Sequence, residues 1–317
     1  MKISEIYALA IEKGMQADPR GYEQAAQVLE KNKKKYEKLD EEEKQFFDQD
    51  RLINPYSDTR ILCGDADAEV KSLLAGIDIE AGELMMADAL ERRGRKIDLI
   101  FSHHPEGRAL LGLPDVMFLQ TGYLASFGVL PNVAESLMEP RSAEVCESVN
   151  VSNYNRTVDA ARLLGYNMMC VHTPCDNLAN NFITELIRDN APQTLDDVCK
   201  LIRSVPEYTA ASRFGDAPMI ISGNGGRSAG KAFVDFTGGT GGPKEYVKLL
   251  NDAGVSTLVC MHMRKEVLDL AKENHINVVI AGHMPSDSLG VNLFLDNLEA
   301  AGVDIVPCSG FTRISRN

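Results

Sequence analysis

Imidazoles and carboxylates recur in this chain at spacings that suit a metal ion. Four of its six histidines stand in three short phrases: Ser102-His103-His104-Pro105, His172-Thr173-Pro174-Cys175-Asp176 and His283-Met284-Pro285-Ser286-Asp287. The last two share a longer pattern, H-x-P-x-D-x-L-x-x-N. His172, Pro174, Asp176, Leu178 and Asn181 fill it in the first copy, and His283, Pro285, Asp287, Leu289 and Asn292 in the second. Every matched pair is 111 residues apart. Nitrogen and oxygen donors of this kind are those that borderline divalent metals prefer. Two carboxylates add the negative charge that neutral imidazoles lack.

Donors spread over so much sequence need a rigid scaffold to bring them together. From about Arg60 the chain alternates between short apolar runs and helical stretches, which predicts α/β layering. Strands are expected at 73–77, 97–101, 168–171, 233–236, 257–260, 278–281 and 303–306. Helices are expected at 81–93, 142–165, 177–190, 194–203, 264–274 and 286–301. Runs without polar alternation should be buried on both faces. His103, His104, His172 and His283 all fall at or just beyond strand ends, where ligands gather in α/β folds.

Neighbouring side chains on a strand point to opposite faces. His103 and His104 therefore share one ion only if the strand breaks there, as Pro105 permits; alternatively each serves a different ion. With two carboxylates available to bridge, a dinuclear site is the simpler arrangement. Asn181 and Asn292 either orient the carboxylates or simply cap or face a helix. Cys175 lies inside the first phrase but is matched by Ser286, which argues against a ligand role.

Two glycine-rich stretches bear on anion binding. Gly225-Gly226-Arg227-Ser228-Ala229-Gly230-Lys231 resembles a P-loop, but Ala232 replaces the required Ser or Thr and a strand follows where a helix is needed. Gly238-Gly239-Thr240-Gly241-Gly242 joins a strand to a helix expected to open at Pro243. Its N–H groups either cradle an anion or form a tight turn with close packing; the tight turn is the simpler reading.

Residues 1–50 read as helices. Ile3, Ile6, Tyr7, Ala10 and Ile11 form one apolar stripe, and a second helix is expected from about Tyr22 to Lys38. The basic run at 31–35 reads as a solvated helix face, because acidic residues follow it and the whole chain is acidic. A net charge of −13 argues against broad nucleic-acid binding. Seven scattered cysteines without a C-x-x-C read as reduced thiols in a cytoplasmic protein. No apolar run approaches a membrane span.

The phrases, in their order, resemble the dinuclear-metal family called Nif-three-like, also known as type-two GTP cyclohydrolase-like. The resemblance runs over about residues 60–308. It rests on the stretch 64–71, on Asp98 through Pro105, on His172-x-x-x-Asp176, on Gly238 through Gly242 and on His283-x-x-x-Asp287. It implies an α/β fold of two similar halves, about 60–190 and 230–317 within a domain 56–317, with the metal site in the cleft between them. Residues 1–55 would be an N-terminal helical extension. It further implies that His103, His104, Asp176, His283 and Asp287 hold two divalent ions (zinc, iron, manganese or similar), and that the chain forms homo-oligomers from dimer to hexamer. The family usually carries Glu where this chain has Asp287, and its tryptophan-containing phrase is missing here.

The function expected is a metal-dependent hydrolase that activates water for attack on a small molecule, nucleotide-like or phosphorylated. His172, if not a ligand, is a candidate proton shuttle. The alternatives are a metal-binding regulatory or metal-delivery protein without turnover, and a structural role in which metals tie the two halves together.

Overall fold

The computed structural model describes residues 1–317. Three helices open the chain: α1 (Ile3–Gln16), α2 (Tyr22–Tyr36) and α3 (Glu41–Phe46). Then come β1 (Arg60–Cys63), β2 (Ser72–Gly76), α4 (Ala81–Arg92) and β3 (Leu99–Ser102). A helical insertion follows, made of α5 (Gly107–Leu111), α6 (Leu113–Val116), α7 (Leu119–Ser126), α8 (Pro131–Asn150) and α9 (Arg156–Leu164). The chain continues through β4 (Met168–Cys170), α10 (Thr173–Asn190), α11 (Leu195–Arg203), α12 (Pro206–Ser212), β5 (Met219–Ser222) and β6 (Ala232–Asp235). It ends with α13 (Tyr246–Asp252), β7 (Thr257–Cys260), α14 (Lys265–Glu273), β8 (Asn277–Ile280), α15 (His283–Ala300) and β9 (Asp304–Cys308).

The strands form two sheets of matching topology, β1-β4-β3-β2-β9 and β5-β8-β7-β6. In each, the first strand runs antiparallel to its neighbour and the next three are mutually parallel. Even the irregularity repeats: Ile61 and Cys63 pair with Met169 and Met168, as Ile220 and Ser222 pair with Val279 and Val278. The turn that follows also repeats. Gly64 (φ 99°) packs onto Asn167 and Gly223 (φ 100°) onto Asn277, and a Cβ on either would stand under 3 Å from the asparagine Oδ1.

The α/β architecture of two similar sheets is therefore the one expected, with two changes of boundary. Strand β5 begins the second sheet at Met219, ahead of the expected start at 230. Strand β9, expected to close the second half, instead pairs in parallel with β2 of the first sheet. The α10–α15 pair lies between the sheets. Val291, Phe294, Leu295 and Leu298 of α15 pack on the first sheet, and Ala179 and Ile183 of α10 on the second. The two helices approach closely at Gly290, where a Cβ would sit 2.2 Å from the Cys175 carbonyl oxygen.

The N-terminal helices are present, but α1 is not an appendage. Its apolar stripe (Ile3, Ile6, Tyr7, Ala10, Ile11) is buried in the same core as Leu73 and Phe101 of the first sheet and Val171 just beyond it. Gly14 presses against Pro174, where a Cβ would come within 2.7 Å, and the Asn177 side chain donates to the Gly14 carbonyl at 3.0 Å. Helix α1 thus buttresses the first turn of α10. By contrast, Lys31, Lys33, Lys34 and Lys35 of α2 are exposed, as a solvated face requires. No helix is long and apolar enough to cross a membrane.

Candidate metal centre

Strand β3 ends at Ser102, and the backbone turns over the end of β2: His103 N–H donates to Gly76 O and His104 N–H to Ile77 O. Strand alternation no longer applies there, so both imidazoles face one cavity, their centroids 5.3 Å apart. His172 caps α10, and Asp176 follows within the first turns of that helix. His283 and Asp287 lie on α15 four residues apart, hence on one face. The structure therefore brings together all six residues singled out in the sequence: His103, His104, His172, Asp176, His283 and Asp287.

The three imidazoles of the first half are held in one manner. His103 Nδ1 lies 3.1 Å from the Val171 carbonyl, His104 Nδ1 2.7 Å from Asp78 Oδ1, and His172 Nδ1 2.8 Å from Asp58 Oδ2. A carbonyl only accepts, so the His103 proton sits on Nδ1 in the neutral ring and its Nε2 lone pair faces the cavity. Imidazoles tethered through one nitrogen to an acceptor, with the other free, are oriented as metal-binding histidines are.

What the free nitrogens face decides the fit. His103 Nε2 is 3.3 Å from Asp176 Oδ1 and 3.6 Å from Asp287 Oδ1. His104 Nε2 and His283 Nε2 are 3.4 and 3.3 Å from Asp287 Oδ2, and His172 Nε2 is 3.7 Å from Asp176 Oδ2. Although buried, neither His103 Nε2 nor Asp287 Oδ2 makes a directed hydrogen bond. Lone pairs turned toward carboxylates repel unless a cation lies between them. Donor atoms about 2.1 Å from an ion in a tetrahedral array stand roughly 3.4 Å apart. The donor spacings and the orphaned atoms fit a divalent cation.

Electrostatics point the same way. Burial opposes a charge on His103, but Asp176 and Asp287 outweigh it and push its pKa well above the usual histidine value. For His172, burial is likewise outweighed, by Asp176 and Asp58. Burial would raise the Asp287 pKa, yet the surrounding imidazoles hold it far below the carboxylate range. His283 moves down, chiefly by burial, with Asp287 opposing. The carboxylates demand positive charge from whatever stands among them.

Three residues escaped the sequence reading. Asp58 is fully buried and accepts from both His172 Nδ1 and Thr173 Oγ1. Asp78 orients His104 from the loop after β2. His262 lines the same cleft, its ring 4.8 Å from that of His283. It follows the end of β7 by two residues, as His104 follows the end of β3, so the strand correspondence would have found it; Met261 in place of a first histidine hid the phrase. Of the two readings of Asn181 and Asn292, the one in which they orient the carboxylates is excluded. Asn181 is exposed, and Asn292 donates to Glu207 and to the Thr312 carbonyl rather than to a cleft carboxylate. The Cys175 thiol is buried beside His103, and burial pushes its pKa up, which agrees with a neutral, unreactive group.

The two phrases are not quite in structural register. Met168 and Met169 correspond to Val278 and Val279 through their strand pairings, an offset of 110 residues, against 111 for the histidines. The extra residue falls between strand and helix in the second copy. There Gly282 (φ 112°) caps α15 where His172 caps α10. His283 is thereby moved one position into its helix and Asp287 with it.

No family model matches the chain, and no curated protein matches it in sequence. Among solved structures, a NIF3 superfamily protein from Sphaerobacter thermophilus superimposes with a TM-score of 0.71 at 26% identity, over 80% of this chain and 91% of that one. Reduced HcgD from Methanocaldococcus jannaschii aligns with a TM-score of 0.50 at 16% identity, over 78% and 87%; that likeness is one of fold. In fold, this chain is similar to a NIF3 superfamily protein.

Proposed function

We propose that the cleft is a divalent-metal centre and that the chain is a metal-dependent hydrolase of a small molecule, nucleotide-like or phosphorylated. His103, Asp176 and Asp287 would hold one ion, and His104, His283 and Asp287 a second, of zinc, iron, manganese or similar. The observation that carries this reading is the placement of Asp287: Oδ1 faces His103, while Oδ2 faces His104 and His283. One carboxylate thus addresses two sets of donors, as a bridging ligand must. A bound divalent ion would supply a Lewis acid and a lowered pKa for water.

The remaining chemistry belongs to the chain. His172 Nε2 faces the cavity and would take or give a proton there. Asp58 holds Nδ1–H and stabilises the imidazolium, so the pair forms a proton relay reaching from buried protein into the cleft. Such a relay favours turnover over mere storage. Metal delivery without turnover is the second reading; it is favoured by the exposed His262 beside the partly exposed His283, a route by which an ion can enter or leave.

The test is metal analysis of the purified protein, followed by a hydrolysis screen over phosphoesters, nucleotides and cyclic amides. Metal bound with turnover supports the hydrolase. Metal bound without turnover on any of these, but released readily to a chelator, supports delivery. A metal-free protein that takes up no added zinc, manganese or iron would sink both.

A further inference from the structure

The wall opposite the carboxylates is backbone. Gly239, Thr240 and Gly241 line a cavity of about 70 Å³ together with His172, Asp176, His283 and Asp287. Room of this size takes several waters or one oxyanion. The carbonyls of this loop are pulled away from the cavity by side chains behind it. Gln120 Nε2 donates to Gly238 O at 2.8 Å and to Thr240 O at 2.7 Å; Arg141 Nε donates to Gly241 O at 3.1 Å; Arg264 Nη2 donates to Gly242 O at 2.7 Å. In a trans peptide the N–H points opposite to the C=O of the preceding residue. The N–H groups of Gly239 and Gly241, which follow the carbonyls that Gln120 holds, are therefore turned from Gln120 toward the cleft that both residues line. Neither donates to any acceptor in the chain.

Gly238 and Gly239 both have positive φ, and a Cβ on Gly238 would stand 2.4 Å from Gln120 Cγ, so the loop needs glycine to lie this close to its clamp. Across the cavity, Asp287 Oδ2 is buried and unpartnered. One small cavity thus offers donors for an anion on one wall and acceptors for a cation on the other. Backbone N–H groups gathered in a concave turn bind oxyanions.

The geometry points to an oxyanion subsite at the N–H groups of Gly239 and Gly241, clamped from behind by Gln120 and, at the Gly241 carbonyl, by Arg141, that takes the phosphoryl group of a phosphorylated small molecule. The assignment rests on the metal reading, because without cations the facing carboxylates repel an anion. The clamp explains a role for the helical insertion: α7 supplies Gln120 and α8 supplies Arg141.

The probe is inorganic phosphate, titrated calorimetrically into zinc-loaded full-length protein, with zinc per chain measured for every variant. Gly241→Pro removes one N–H. Gly241→Ala keeps it, and the only atom within 4 Å of its new Cβ is Arg264 Nε at 3.9 Å. Wild type is expected to bind phosphate, Gly241→Ala within about threefold of it, and Gly241→Pro at least about tenfold more weakly, a loss on the scale of one or two charge-assisted hydrogen bonds. Zinc per chain should be equal in all three. Gln120→Ala, which frees two carbonyls, should weaken phosphate severalfold, and decides alone if Gly241→Pro does not fold. Equal phosphate affinity in Gly241→Pro and wild type with zinc retained would overturn the subsite and leave the metal reading standing. Failure of wild type to bind zinc would overturn the metal reading itself.

Discussion

His172 Nδ1 and Asp58 Oδ2 stand 2.8 Å apart, both buried, on opposite sides of a span of 114 residues. Asp58 also accepts from Thr173 Oγ1, so one carboxylate fixes both the imidazole and the first turn of α10. If His172 moves protons, Asp58→Asn should lower turnover of a hydrolysable ester by about 100-fold while metal per chain stays near the wild-type value. Loss of metal in Asp58→Asn, with turnover restored by excess metal, would make His172 a ligand and remove the relay.

Asp287 is shorter than the glutamate that the sequence resemblance implies here, yet its two oxygens already face three imidazoles. Asp287→Ala should lower metal affinity by at least about 100-fold, the upper range for loss of an outer-shell partner, and abolish hydrolysis. Asp287→Glu should keep the metal. Asp287→Asn keeps the shape without the charge and should fall between them. Elemental analysis of the three purified variants tests this. Full occupancy in Asp287→Ala would reduce the residue to a helix-end carboxylate.

Deleting residues 1–50 looks harmless if they are an extension outside the metal-binding domain. The buried face of α1 argues otherwise. Ile3 and Ile6 are wholly inaccessible, and truncating such a side chain costs about 2–5 kcal/mol. Ile6→Ala should therefore lower the urea midpoint clearly, and the 1–50 deletion should yield insoluble or metal-poor protein. A soluble truncated protein with full metal would show that α10 needs no support from Gly14 and its neighbours. The exposed lysines of α2 should be replaceable by alanine without change in metal.

The site was legible because its histidines end apolar runs, and buried parallel strands announce themselves as such runs. Met168 through Cys170 and Leu99 through Ser102 are buried at every position. Strand β5 was not legible for the same reason: Met219 is exposed and Ile220 only partly buried, because an edge strand leaves one side open. Nor does sequence order tell which sheet a terminal strand joins, and β9 crossed to the first. Asp58 and Asp78 are single acids in loops; nothing marks them until the fold brings an imidazole to each. The clamp on the glycine loop was hidden because Gln120 and Arg141 come from an insertion with no counterpart between β7 and β8.

Away from the cleft, Asp98 ties the start of β3 to the start of β2. Its carboxylate accepts from the N–H groups of Lys71 and Ser72 and pairs with Lys96 at 2.6 Å. Burial pushes its pKa up, but the lysine and the two backbone donors outweigh that and hold it below the ordinary value of 3.8. A carboxylate whose pKa is lower folded than unfolded contributes its stability above the unfolded value, and loses it as pH falls through the folded one. Asp98→Asn keeps one acceptor oxygen but no charge. It should destabilise the protein by about 1.5–3 kcal/mol at pH 7, the range for hydrogen bonds to a charged group. The same gap should persist at pH 5 and shrink as the pH falls below about 3.8 toward the lowered folded value, below which wild type also becomes neutral at this position. Urea midpoints of wild type and Asp98→Asn at pH 7, 5 and 3 give the three differences. A gap that is unchanged at pH 3 would mean that the shape of the side chain, and not its charge, holds the two strand ends together.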